Sequence, residues 1–441
     1  MNNTKSIRAA IVIGVMAMVA LSFNSCKLYG KYDSKTTAEI DSIPVPTYTE
    51  IFTDPQLQSL IDLALKNNYD LRMAHERVNQ AKAQLLGAKL AFLPSIYAGG
   101  SPVGQMTATT SAVTSYSHTF ATASWEIDIF GKLLNQKRMA EAGYKQSQDF
   151  EQAARAELVA GVAETYYLLL MYDALIRTAE DAVDTWKQSV ETMREMKKAG
   201  MSDEAAVSQF EGSYYATRAD HKQYLLEREF ALSAMYLLLS TDSLNDIARS
   251  NLRATTYNDN LTTVDLRAVQ IRPDVKAAEH QIEYAFYNRN RSIANCCPSI
   301  TLSGTVGWAN GGVLFNAVGG LLQPIFNAGK NISDVRVSKS QLEEMQYNYA
   351  NALLKAGTEV NDALAERRIY NEKTAEHLNR VDAMERAYDA TYTKMRLGQG
   401  TYLEVLMAQN DLINSRYSLI QNYRNILQAN VNLYLALGGG K

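Results

Sequence analysis

Residues 157–172 read ELVAGVAETYYLLLMY, and this stretch decides the fold. Val159, Val162, Tyr166, Leu169 and Leu170 recur at steps of three and four, which places them on one face of an α-helix. Outward in both directions the pattern continues without a proline, from Gly131 to Gly200. A second proline-free stretch runs from Gly329 to Gly398, and each glycine pair is 69 residues apart. At 1.5 Å per residue, a helix filling such an interval is roughly 100 Å long. Ordinary globular helices average about three turns, so a chain with two such segments is built to bridge a distance.

The doubling extends beyond the helices. Asp70–Ile96 lies over Asp274–Ile300 without a gap at an offset of 204 residues, with identities at Asp70/Asp274, Ala74/Ala278, Ala81/Ala285, Pro94/Pro298, Ser95/Ser299 and Ile96/Ile300. In each half a helix precedes the proline, and the period then changes. Ser95–Trp125 is rich in Ser, Thr, Gly, Ala and Tyr, alternates locally at Tyr116, His118 and Phe120, and predicts two strands joined near Thr107–Ser111. Ser299–Ala309 and Gly312–Phe326 predict the second pair. Each long helix then turns, at Ala199-Gly200 and at Gly398-Gln399-Gly400, into a return helix. The first return helix, capped by Ser202, reaches about Leu239; the second runs from Thr401 to about Leu437. Leu403, Leu406, Ile413, Tyr417, Ile420, Leu427, Val431 and Tyr434 give the second return helix a seven-residue rhythm, interrupted at Asn410 and Arg424, that predicts coiled-coil packing.

The domain plan follows. Residues 1–25 read as an export signal: Lys5 and Arg8 form the charged end, and Ala9–Phe23 form an apolar run ending near small Ser25. Cys26 comes next, as in a bacterial lipobox, although Phe23 and Asn24 depart from the usual residues there; the alternative is a plain cleaved signal with an incidental cysteine. Residues 26–53 predict an extended tether, and Asp54-Pro55 predicts the cap and first residue of a short helix ending near Asn68. Residues 54–250 form the first repeat, with strands 95–125 and hairpin 131–240. Residues 251–272 connect the halves, with a short helix expected at Val264–Gln270, and 273–441 form the second repeat, with strands 299–326 and hairpin 328–437. No segment after the signal reads as a membrane-spanning helix, so any membrane insertion must use strands.

Physics then asks for partners. In Thr301–Trp308, Leu302, Val306 and Trp308 alternate with Thr301, Ser303, Thr305 and Gly307, as in a strand with lipid on one side and water on the other. Four strands cannot close a barrel, and open edges are not tolerated in hydrocarbon, so other copies of the chain must supply closure. Two copies would give eight strands and a filled interior; three would give twelve strands, twelve helices and room for a pore.

Several separate motifs carry a resemblance. Asp70-Leu71-Arg72-Met73-Ala74, Leu93-Pro94-Ser95-Ile96, Ser124-Trp125-Glu126-Ile127-Asp128-Ile129-Phe130-Gly131, Arg272-Pro273-Asp274-Val275, Gln323-Pro324-Ile325-Phe326, Glu359-Val360-Asn361-Asp362-Ala363-Leu364-Ala365 and the closing Ala436-Leu437-Gly438-Gly439-Gly440 resemble those of the TolC-like outer membrane factors. The branch is the lipoprotein type that serves multidrug efflux pumps, and the likeness spans about residues 50–440. The resemblance implies a fold that is mainly α with a small β part: a homotrimer with a twelve-stranded barrel in the outer membrane, continued by a long periplasmic α-helical barrel. It implies an exit duct for an inner-membrane RND-type transporter, coupled by a periplasmic adaptor (membrane fusion) protein, with outer-membrane lipid around the strands.

The same resemblance directs attention to the hairpin turns. Gln399, Leu403 and Met407 lie four apart, and in the family this stripe lines the closed constriction, often with an aspartate where Met407 stands. Here Glu404 and Asp411 are the nearby acids, and Asn410 fills a position that is often basic, so the expected plug is apolar. Packing between helices is the competing role for these residues. Lys197, Lys198, Gly200, Met201 and Ser202 at one turn, and Arg396, Gly398 and Gly400 at the other, are expected to dock the adaptor, although turn geometry alone also explains the glycines.

Composition removes other classes. A hydrophobic content of 46% with 21% charged residues belongs to a folded chain. The net charge of −3, which becomes −5 once Lys5 and Arg8 leave with the signal, gives nucleic acid no basic surface. His75, His118, His221, His280 and His377 show no ligand spacing, Cys296 and Cys297 are adjacent and seldom able to bridge, and Gly311-Gly312 and Gly319-Gly320 lack the Lys-Ser/Thr of a phosphate loop. No metal, cofactor or catalytic centre is expected. Type I protein secretion, which the same fold serves, and a soluble periplasmic coiled-coil scaffold remain the other readings.

Overall fold

The computed structural model describes residues 29–34, 45–106, 113–241, 247, 249–253, 266–309, 312–324 and 327–440. The export signal, Cys26, the Thr107–Ser111 turn, Phe326 and much of the tether and connector lie outside them. In chain order the elements are α1 (Tyr48–Ile51), α2 (Pro55–Asn67), α3 (Tyr69–Leu90), β1 (Ser95–Met106), β2 (Val113–Ile127), α4 (Lys132–Lys198), α5 (Glu204–Leu239), a 3-10 turn (Leu266–Ile271), α6 (Pro273–Ala294), β3 (Ser299–Ala309), β4 (Gly312–Leu322), α7 (Lys330–Arg396) and α8 (Tyr402–Ala436). Both long helices are continuous, and each contains 67 residues. The glycines that bound them, Gly131, Gly200, Gly329 and Gly398, all have φ between +70° and +78°.

Contacts divide the chain into two units, and the helices α3, α4, α6 and α7 contribute to both. The first unit comprises residues 1–37, 76–149 and 276–352 and holds the sheet. Its four strands are antiparallel in the order β1-β2-β3-β4, with Trp125 opposite Leu302 and Leu302 opposite Gly319. Because side chains alternate, this register assembles one face from Ile96, Ala98, Ala121, Ala123, Trp125, Leu302, Val306, Trp308, Val313, Phe315 and Leu321. The opposite face carries Thr122, Ser124, Thr301, Ser303, Thr305 and Asn316, with Thr122 and Thr305 hydroxyls 3.1 Å apart. Trp125 Nε1 donates to the Phe92 carbonyl (2.9 Å), and the Asp128 carboxylate accepts from the Leu134 amide (2.7 Å) where α4 begins.

The second unit comprises residues 38–75, 150–275 and 353–441. Its main core packs Val159, Val162, Tyr166, Leu169 and Leu170 of α4 against Leu232 and Met235 of α5 and Leu427, Val431 and Tyr434 of α8. The C-terminal turn is tied down by Arg272, which donates to Asp274 (2.8 Å), Glu359 (2.7 Å) and the Ala436 carbonyl (3.1 Å).

Five expectations need correction. The tether is not extended throughout: α1 forms at Tyr48–Ile51, the Glu50 carboxylate accepts from the Thr47 amide (2.7 Å), and Ile51 and Phe52 are fully buried. Its signature, Thr47-Tyr48-Thr49-Glu50, is a capping box that was legible in the sequence. The short connector helix is a 3-10 turn that ends at Ile271, one residue past the expected Gln270 and just before the Arg272-Pro273 step. β4 stops at Leu322, ahead of Pro324, which has no amide to donate. The cap of α5 is Asp203, whose carboxylate accepts from the Ala206 amide (2.8 Å), whereas the Ser202 hydroxyl is buried without a hydrogen-bond partner. Finally, α4 does contain a stretch apolar enough to cross a membrane, but 61% of that window is buried, so its apolarity is used inside the protein.

Candidate functional site: hairpin tips and sheet face

Each tip is built by its own local hydrogen bonds. At the first, the Gly200 amide donates to the Lys197 carbonyl (3.0 Å) and the Met201 amide to the Met196 carbonyl (2.8 Å). At the second, the Gly398 amide donates to Met395 (3.0 Å) and the Gln399 amide to Lys394 (2.9 Å). Both patterns need a left-handed residue after the helix, and glycine fills that position without a Cβ penalty. Thr401, where the sequence reading began the helix, is the cap of α8 and accepts from the Glu404 amide (3.4 Å).

Beneath the turns lies a small apolar core of Trp186, Val190, Met193, Val207, Phe210, Met395, Val405 and Ile413. Trp186 and Phe210 meet edge to face with ring centroids 5.8 Å apart. One polar contact crosses it, Ser189 Oγ to Gln409 Oε1 at 3.1 Å. The inward face of α8 is therefore Val405, Gln409 and Leu412, and the other face carries the stripe singled out from the sequence. Gln399, Leu403, Glu404, Met407, Asn410 and Asp411 are all exposed, with Leu403 at 50% and Met407 at 59%. Packing inside the protomer is thus not what holds Leu403 and Met407 at these positions.

The proposed docking residues are also at the surface. Gly200, Met201, Arg396 and Gly398 are exposed, and Ser202 and Gly400 are partly buried. Lys197 pairs with Glu204 across the first turn, Lys198 with Glu195 (2.7 Å), and Arg194 with Glu211 (2.5 Å), so these cations are already matched by carboxylates of the same hairpin. The surface there consists of small residues and paired charges. Among the described residues no cluster of His, Cys, Asp and Glu suited to a metal ion occurs. Cys296 and Cys297 are free thiols whose burial raises their pKa, as inert structural cysteines do.

The second candidate surface is the apolar side of the sheet. Trp125, Leu302, Val306, Trp308, Val313, Phe315 and Leu321 are each more than two-fifths exposed in a sheet whose outer strands β1 and β4 have no further strand beside them among the described residues. The residues before the first unit's helices are fixed at its strand ends: the Tyr29 hydroxyl donates to the Ile129 carbonyl, and Arg138 donates to the carbonyls of Tyr29 (3.2 Å) and Gly30 (3.0 Å).

The family model for outer membrane efflux proteins matches residues 60–241 and 266–439. A probable efflux pump outer membrane protein, TtgC of Pseudomonas putida KT2440, is 30% identical over 410 residues, which covers 89% of this chain and 85% of that protein. The cation efflux system protein CusC of Escherichia coli K12 is 31% identical over 408 residues, or 88% of each chain. A crystal structure of CusC superposes with a TM-score of 0.83 at 26% identity, covering 93% of this chain and 99% of that one. The Campylobacter jejuni CmeC outer membrane channel superposes at 0.79 with 24% identity over 94% and 91% of the two chains, a likeness of fold.

Proposed function

Because this chain belongs to the outer membrane efflux protein family, a family of passive channels and not of enzymes, we propose that three copies form the exit duct of a tripartite efflux system. The observation that carries the reading is the sheet: an exposed apolar face, a reverse that mixes Thr122, Ser124, Thr301, Ser303, Thr305 and Asn316 with Tyr97, Val318 and Leu322, and, among the described residues, two open edges, joined directly to two helices of 67 residues. Three such sheets close twelve strands into a barrel with lipid outside and water inside. The helical hairpins of the three copies, 131–240 and 328–437, then form the periplasmic wall of the duct.

The stripe of Gln399, Leu403 and Met407 forms the closed constriction, flanked by Glu404, Asn410 and Asp411. The turns, with Gly200, Met201 and Ser202 on one side and Arg396, Gly398 and Gly400 on the other, receive a periplasmic adaptor that links the duct to an inner-membrane RND-type transporter. Cys26 carries the lipid. Two residues, Lys27 and Leu28, separate it from Tyr29, a reach of about 10 Å, and Tyr29 is held at the strand ends where acyl chains would enter the bilayer. The relatives are named for toluene, antibiotic and cation efflux, and the cargo of this chain belongs with such small molecules, selected by the transporter.

Fractionation and bilayer recording test the reading. Detergent-resistant trimers in the outer membrane fraction, with ion conductance after reconstitution, are expected. Monomers released by a salt wash, with no conductance, would overturn it.

A further inference from the structure

In the first unit, α4 and α6 meet along a cluster of ionisable groups that the exit-duct reading does not use. Asp149 of α4 is 9% exposed, and its Oδ2 is buried without a hydrogen-bond partner. His280 Nε2 of α6 stands 3.5 Å from that oxygen. The other ring nitrogen, Nδ1, lies 3.2 Å from Glu283 Oε2, which also receives Lys145 Nζ of α4 at 3.4 Å. From α6, Lys276 and the buried Glu279 face Asp149 as well. Ser34 of the N-terminal segment donates to Glu279 (2.7 Å), and Tyr32 of that segment and Tyr349 of α7 face Glu279 too.

Counting protons explains the orphaned oxygen. A carboxylate only accepts, so the single proton of a neutral imidazole at this position sits on Nδ1, toward Glu283. Burial raises the Glu283 carboxyl, but the bonds from His280 and Lys145 outweigh burial and hold it below its usual value, so it stays an acceptor. Nε2 then presents a lone pair to the Asp149 carboxylate, acceptor against acceptor, and no hydrogen bond can form between them. One proton on either atom turns this opposition into a hydrogen bond, for which the 3.5 Å separation closes to about 2.8 Å. Burial pushes the Asp149 carboxyl up to about 6 against the pull of His280, Lys276 and Lys145, so that proton arrives in mild acid.

We propose that Asp149 and His280 form a proton-operated clasp between α4 and α6, closed in mild acid and slack at neutral pH, on the turn of α6 that holds the N-terminal segment through Glu279 and Ser34. A duct needs no such pair in its wall, so this goes beyond the exit-duct reading, and either can fail without the other.

The test is hydrogen–deuterium exchange of the full-length protein in detergent, read on peptides spanning 145–150 and 276–283 and corrected for intrinsic rates. A proton site near pH 6 should protect these segments about fourfold more at pH 5.5 than at pH 7.5. Asp149→Asn supplies a donor that needs no proton, since the amide can donate to Nε2. Protection at pH 7.5 should then rise to the parent's level at pH 5.5 and lose its pH dependence. His280→Gln should do the same from the other side, its amide donating to the Asp149 carboxylate. His75→Gln, which removes the histidine bonded to Glu151 (2.8 Å), should keep the parent's fourfold difference. Equal protection of the parent at both pH values, or loosening of these segments at pH 7.5 in the Asp149 or His280 variant, would overturn the proposal. So would a His280→Gln protein that keeps the fourfold difference, because burial of Asp149 alone would then account for it.

Discussion

If the Leu403–Met407 stripe closes the duct, truncating it must open the channel by an amount the structure lets one estimate. In the protomer Leu403 keeps 50% of its surface in water and Met407 keeps 59%. Full burial of such a side chain is worth about 1.5–3 kcal/mol, so hiding the remaining half at a three-fold axis is worth about 1 kcal/mol each. Six side chains from three copies then favour the closed tip by about 6 kcal/mol, and alanines at both positions forfeit about 4 kcal/mol of it. Each 1.4 kcal/mol is a factor of ten, so the open-to-closed ratio rises about a thousandfold. Single-channel recording of L403A/M407A in planar bilayers reads this directly: a duct open one part in a thousand would stand open about half the time. Met201→Ala provides the control, since Met201 is also 59% exposed but lies at the first turn, off the stripe. The reasoning is refuted if L403A/M407A forms trimers whose open probability stays within about threefold of the parent, or if M201A opens the channel equally.

Three further outcomes follow from the described contacts. Gly439→Ala should destabilise far more than Gly200→Ala: both glycines have positive φ, but a Cβ at 439 would lie 2.1 Å from Ala156 Cβ whereas nothing is within 4 Å at 200. A left-handed alanine costs about 1–2 kcal/mol, and the clash adds about 1–3 kcal/mol at 439 alone, a difference measurable by thermal unfolding followed at 222 nm. Asp203→Ala should cost the start of α5 about 1 kcal/mol and speed hydrogen exchange at Ala206, while Ser202→Ala should change exchange little. Asp149, buried on α4 with His280 Nε2 at 3.5 Å, has its pKa pushed up to about 6, chiefly by burial. A carboxyl raised from 3.8 to about 6 binds its proton more tightly when folded, so stability falls as pH rises from about 4 to 6, by up to about 3 kcal/mol. Asp149→Asn should therefore raise the melting temperature near pH 7.5 and lose that advantage near pH 4; an advantage unchanged across that range would refute the assignment.

Periodicity carried most of the fold because it records burial directly. Val159, Val162, Tyr166 and Leu169 are all at or below 1% exposed, as one apolar helix face requires. The alternation of Leu302, Val306 and Trp308 likewise marked one face of the sheet, but the register that completes that face with Trp125 and Phe315 depends on pairing across distant segments. Caps were harder to place. Ser202 and Asp203 are both good capping residues, and which one serves is set by where the turn leaves the chain after Met201, a matter of one residue. Phe52 was missed because a four-residue helix is too short for a period, and its burial comes from contact with Tyr167 and Tyr434, far along the chain. The tip stripe was visible as spacing alone; that its side chains face away from the hairpin core needed Val405 and Gln409 to be seen turned inward.

The two halves have not diverged evenly, and where they differ bears on the duct. From Asp70/Asp274 to Ile96/Ile300 the offset is 204 residues, but from Gly131/Gly329 to Gly200/Gly398 it is 198. The discrepancy falls wholly between the start of the strands and the glycine before each long helix, where β1 and β2 have 12 and 15 residues against 11 and 11 in β3 and β4. A strand hairpin ends in a turn, so length added there displaces nothing else. A long helix has no such freedom. One extra residue in α4 or α7 would move its turn by about 1.5 Å and rotate every later side chain of that helix by about 100°, carrying an inward residue such as Met193 of α4 or Met395 of α7 out of the tip core. Equal lengths of 67 residues in otherwise divergent copies are what helices need if they begin at one membrane surface and their turns must meet at one closing ring.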